Sequence, residues 1–69
     1  TTFNLVSGTN AVNNSRMTIF ADLNCTEEVT INDTVYSAGD YLKAIKLTYG
    51  TNTLTSSGNA TLTYREGDL

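Results

Sequence analysis

Histidine and tryptophan are absent from this 69-residue chain, cysteine occurs once, and only four residues are basic. Each shortage removes a class of chemistry. A lone Cys25 permits no intrachain disulfide, and without a second cysteine or any histidine the familiar zinc sites are excluded. Cys25 also lacks the histidine that usually activates a thiol nucleophile, and the nearest charged residues, Asp22, Glu27 and Glu28, are carboxylates. It reads as a buried or incidental cysteine.

The four basic residues stand against seven acidic ones, a net charge of -3. Lys43 and Lys46 are the only clustered basic pair, which argues against direct nucleic-acid binding, since phosphate neutralisation supplies most of that affinity. An acidic protein can instead cover a basic surface of another protein. Apolar runs are short as well. No stretch reaches the length of a membrane span and no signal segment is visible.

Leu, Ile, Val and Phe together number 16, a thin supply for a core. A chain of this size hides only about 60% of the surface its unfolded form exposes, so a marginal domain is expected unless pairing or assembly supplements it. The expectation is one β-rich domain over residues 1–69, with an extended N-terminal segment over 1–15 and a fraying tail over 66–69. Thr1 is compatible with removal of an initiator Met or of a longer leader.

What is abundant is polar and small: 13 Thr, eight Asn and five Ser. This composition suits exposed β surface and turns, and it is associated with extracellular and viral structural proteins. Glycosylation sequons begin at Asn13, Asn24, Asn32 and Asn59, although about two would arise by chance in so Asn- and Thr-rich a chain.

Periodicity points to strands. Phe3 and Leu5 share a face in a short first strand, and Ser7 to Asn10 and Asn13 to Ser15 read as turns around an uninformative Ala11-Val12. This N-terminal region is either an arm that pairs with a neighbour or an edge strand. Over Arg16–Leu23, Met17, Ile19, Ala21 and Leu23 alternate with polar residues, and only Phe20 departs from that polarity. Val29-Thr30-Ile31 and Thr34-Val35-Tyr36 flank Asn32-Asp33, a pair that tolerates the positive φ of a two-residue hairpin turn. The expected register sets Val29 opposite Tyr36 and Ile31 opposite Thr34.

Residues 41–49 fit two patterns. As a strand, Ile45, Leu47 and Tyr49 share a face; as a helix, Asp40 caps a stripe of Tyr41, Leu42, Ile45 and Tyr49. The strand is preferred, with room for a helical turn at its start. Near the C-terminus, a Ser57-Gly58-Asn59 loop would pair Leu54 with Leu62 on one face and Thr55 with Thr61 on the other. The fold class expected is all-β, a small antiparallel sandwich or barrel-like module of about five to six short strands. The alternative is an α+β fold with one short helix near residues 40–46.

No constellation of residues carries catalysis. Glu27, Glu28, Asp33 and Asp40 fall in expected connections, nothing brings two of them to the separation that acid/base work needs, and the spacing of Asp33 and Asp40 does not match a calcium loop. Neither a catalytic residue, a metal ligand nor a cofactor is expected. The candidate contact residues are Phe20 and the four tyrosines Tyr36, Tyr41, Tyr49 and Tyr64, which suit a core margin or a recognition surface. Glu27, Glu28 and Asp33 are the charged candidates.

Two functional readings follow, both non-enzymatic and both acting through protein partners or self-association. The first is a structural or assembly module, such as a virion, phage-tail or surface-filament component, using β edges and tyrosine-lined contacts. The second is a small acidic inhibitor from a phage or mobile element, capturing a host nuclease or nucleic-acid-binding complex. The first places the protein in a virion or outside the cell and the second in a host cytoplasm. An accessory domain of a longer enzyme is a third possibility.

Overall fold

Inward and outward side chains alternate along nearly the whole chain, and turns interrupt them before any helix can form. The computed structural model describes residues 2–5 and 7–64, and among these it contains strands only. They are β1 (Thr2–Leu5), β2 (Gly8–Asn14), β3 (Ile19–Cys25), β4 (Val29–Ile31), β5 (Thr34–Tyr36), β6 (Gly39–Leu47), β7 (Gly50–Ser56) and β8 (Ala60–Thr63). They form two antiparallel four-stranded sheets, ordered β1-β8-β3-β6 and β2-β7-β4-β5. Every connection except the β4–β5 hairpin passes from one sheet to the other. This is the strand order of an eight-stranded jelly roll, a double-sheet sandwich. The all-β sandwich expected from the sequence is therefore the fold, with eight strands instead of five or six, and the alternative with a helix near 40–46 is not adopted.

The core lies between the sheets. Leu5, Leu23, Ile45, Leu47 and Leu62 of the first sheet join Val12, Val29, Ile31 and Leu54 of the second in one buried cluster. Each such side chain contributes about 1.5–3 kcal/mol through burial. Cys25 is buried in the same cluster, where its thiol reaches the Ser37 carbonyl at 3.4 Å.

The β4–β5 hairpin has the expected register, Val29 opposite Tyr36 and Ile31 opposite Thr34. Asn32 and Asp33 take φ of 47° and 69°, both left-handed, as a two-residue turn of matching twist requires.

Four local expectations are corrected. The strand expected over Arg16–Leu23 begins at Ile19 and runs to Cys25, and Met17 is 77% exposed in the preceding turn. The turns expected at Ser7–Asn10 and Asn13–Ser15 give way to the seven-residue β2, because its pairing with β7 over Gly8–Asn14 outweighs the turn preference of Gly and Asn. Only Ser15 of the second turn remains outside a strand.

Residues 41–44 form neither a plain strand nor a helix. Ala21 pairs with Ile45 but Leu23 pairs with Tyr41, so β6 carries two extra residues in a bulge. Lys43 sits in it at φ 51°, and its amide donates to the Asp22 carboxylate at 2.6 Å. Leu42, counted as apolar stripe in the helical pattern, is 78% exposed.

The Leu54–Leu62 hairpin does not form. β7 pairs with β2 and β4, whereas β8 pairs with β1 and β3 in the opposite sheet. The inward assignment of Leu54 and Leu62 holds, since both are fully buried. Alternation decides which side chains face a core, but two strands on opposite walls of one sandwich satisfy it as well as two neighbours do. The threonines expected to form a β7–β8 ladder have other partners: Thr55 stands between Thr9 and Thr30, and its hydroxyl lies 3.3 Å from that of Thr9. The tail at 66–69 lies outside the described residues.

Candidate assembly surface

Sandwich ends must hold their connecting loops in place. At one end this falls to two asparagines, both fully buried. The Asn14 amide donates to the carbonyls of Met17 (2.9 Å) and Leu47 (3.0 Å), and its oxygen accepts from the Arg16 amide at 3.0 Å. Asn52 oxygen accepts from the Thr48 amide (2.9 Å) and from Asn32 Nδ2 (2.7 Å). Its nitrogen donates to the carbonyls of Thr48, Gly50 and Val12 at 2.9, 3.2 and 3.3 Å. The 48–50 turn, the β4–β5 hairpin and β2 are thereby fastened to one side chain.

Sequence reasoning assigned Asn14 to a turn and did not single out Asn52. The signal was present for Asn52, which shares the inward parity of Leu54 and Ser56 in a run of alternating threonines.

At the opposite end Thr26 donates through both its amide and its hydroxyl to the Asn59 carbonyl. The Glu27 side chain lies against Gly58 so closely that a Cβ there would collide with it.

The expected contact residues do not converge on one surface. Tyr36 and Tyr41 meet edge to face, centroids 5.3 Å apart, packed half-buried against the core, and the Tyr41 hydroxyl donates to the Ser37 carbonyl at 2.8 Å. Tyr64 also packs against the core. Phe20 is exposed on the outer face of the first sheet opposite Lys46. Tyr49 is exposed in the β6–β7 turn, at the other end of the sandwich from Tyr36. Glu27 and Glu28 are exposed before β4 and Asp33 is exposed after it, so the three carboxylates are divided between the two ends.

The outer faces differ in chemistry. On the second sheet Thr9, Thr30, Thr51, Thr53 and Thr55 form an uncharged hydroxyl-rich field, extended by Ala11 and Asn13. A depression of about 310 Å³ lined by Thr30, Asn32, Asp33, Thr53 and Thr55 lies on this side. The first sheet presents Phe20, Asp22, Asn24, Asp40 and Lys46, with the Asn24 amide donating to the Asp40 carboxylate.

The margins differ more sharply still. β1 and β6 border the first sheet, and β2 and β5 border the second. Two residues, 6 and 7, connect β1 to β2, and Ser37-Ala38 connect β5 to β6. Links that short span the roughly 10 Å between sheets but not the width of a sheet, so β1 lies beside β2 on one margin and β5 beside β6 on the other.

The β5/β6 margin is guarded by Asp40, Lys43, Lys46, the bulge and a β5 of three residues. These are the devices by which natural edges avoid joining other strands. The β1/β2 margin has neither charge nor bulge, and its one short strand is the four-residue β1. Its sequences, TFNL and GTNAVNN, contain no charge, and β2 keeps unbroken register over all seven residues.

Among the described residues no group of three or more acidic or cysteine side chains is placed to hold a metal, and no helix is long and apolar enough to cross a membrane. No family model, curated protein or solved structure matches this chain. The fold is a small all-β domain with edges and faces capable of protein–protein contact.

Proposed function

We propose that the protein is a non-enzymatic assembly module that joins partner proteins by strand addition along the β1/β2 margin. The observation that carries this reading is the asymmetry of the margins: one is charged and bulged, while the other is uncharged and keeps unbroken register over the seven residues of β2. An open strand presents unpaired N–H and C=O groups, and an incoming strand satisfies them with main-chain hydrogen bonds. The Thr- and Asn-rich surface suits a repeating structure outside the cell or on a virion, an analogy of composition and of the uses to which jelly rolls are put. The tyrosines take a secondary part, because three of the four support the core. The inhibitor reading is weaker here, since Glu27 and Glu28 do not share a surface with Asp33.

A fluorescent peptide of alternating threonine and valine serves as a generic strand probe. It should bind the native chain and a variant carrying Ala44→Lys on β6, and lose affinity when Ala11→Lys is placed on β2. Equal binding to all three would refute the reading.

A further inference from the structure

The β2 edge is compatible, in side-chain parity and in charge, with a second copy of itself. Antiparallel pairing of β2 with a second β2 can keep the inward and outward faces of both sheets continuous only if a residue lies opposite its own counterpart, because a twofold axis between residues would turn inward side chains outward. Placing that axis at Ala11, the midpoint of Gly8–Asn14, uses the whole strand. The outer face then sets Ala11 opposite Ala11 and Thr9 opposite Asn13, while the inner face sets Asn10 opposite Val12 and Gly8 opposite Asn14. No charged residue enters any pair.

We infer that a second copy of this chain occupies the β2 edge, pairing β2 with β2 about a twofold axis at Ala11. This rests on the strand-addition reading and names its partner. The two second sheets become one continuous sheet in the order β5-β4-β7-β2-β2-β7-β4-β5. The half-buried Asn10 is covered at the junction, and the threonine fields of the two copies merge into one outer face. Other pairings of margins are less complete. A β6–β6 contact would bring Lys43, Lys46 and the bulge to the junction, and β1 offers four residues against the seven of β2. Two jelly-roll domains joined in this way have a single closed interface, so the product is a dimer with the β5/β6 margins at its far ends.

Sedimentation velocity of the full chain between about 1 µM and 1 mM tests this, a range that spans weak edge-to-edge affinities. The native chain should pass from monomer to dimer. Ala11→Lys and Ala11→Glu, both at an exposed position, should each weaken the dimer by about fivefold or more, because like charges then face each other across the axis. An equimolar mixture of the two variants should restore it, since Lys then meets Glu. Circular dichroism of each variant establishes that the fold is retained. A native chain that stays monomeric throughout, or a dimer indifferent to both substitutions, overturns the inference. If the native chain is monomeric but binds the threonine–valine probe in a way that Ala11→Lys abolishes, self-pairing is refuted and strand addition itself stands.

Discussion

Replacing Asn52 with alanine should cost this domain a large share of its stability. Domains of this kind hold about 0.05–0.15 kcal/mol per residue, roughly 3–10 kcal/mol in all. The Asn52 side chain makes close hydrogen bonds to Thr48 N, Asn32 Nδ2, Thr48 O, Gly50 O and Val12 O from a fully buried position. Water can reach some of these partners after truncation, because several are only partly buried. The Val12 carbonyl lies in a buried setting. Stranding that one carbonyl at about 1–3 kcal/mol, and losing the part-buried hydrogen bonds at about 0.5–1.5 kcal/mol each, give a loss of about 3 kcal/mol before any cavity term. For a domain of this size the corresponding fall in Tm is about 12–24 °C.

Urea unfolding followed by circular dichroism measures the loss, and Thr53→Ala, an exposed neighbour on the same strand, should change stability by no more than about 0.5 kcal/mol. Asn52→Asp adds a pH test. A carboxylate there keeps the acceptor but turns its second oxygen on three carbonyls, so its pKa is raised in the folded state. The native form then binds more protons than the unfolded form, and the variant should gain stability as pH falls towards the carboxyl range. An Asn52→Ala protein within about 0.5 kcal/mol of native would refute the fastening role of this side chain.

Three further outcomes are expected. Asp33→Gly should stabilise the β4–β5 turn by a few tenths to about 1 kcal/mol and Asp33→Val should destabilise it by at least about 1 kcal/mol, because the position takes φ 69°; thermal melts decide. Asp22→Ala should cost about 1–2 kcal/mol by releasing the Lys43 amide, and Lys43→Gly should recover part of that loss, as chemical denaturation of the single and double variants would show. Gly58→Ala should destabilise through its collision with Glu27, and the penalty should shrink in a Glu27→Ala background; strictly additive losses would show that the contact is not the cause.

Much of the fold was legible because alternation is a local signal. Ala21, Leu23, Ile45, Leu47, Leu54 and Leu62 were placed inward by parity alone, and all are buried. The Asn32-Asp33 turn was legible for a similar reason, since its backbone requirement is met within two residues. Strand partnership was not legible between β7 and β8. Their inward residues answer to a shared core, so the same pattern is produced by pairing side by side and by facing across the sandwich. β2 was hidden by composition: Gly8, Asn10, Asn13 and Asn14 favour turns, and only pairing with a strand about forty residues away makes them extended. The segment 41–44 looked helical because a two-residue bulge interrupts the period of two there. As for the surface, the sequence separated β2 neither from an arm nor from an edge, and the contrast between the margins appears only when β1 is set beside β2 and β5 beside β6.

Amide hydrogen exchange, read residue by residue on the full chain at about 1 µM and about 1 mM, tests the central claim most directly. Exchange slows where an edge acquires a partner strand. Protection gained on concentration should fall on Gly8–Asn14 and leave Gly39–Leu47 unchanged. Protection gained on β6 instead, or none gained on β2, would contradict it.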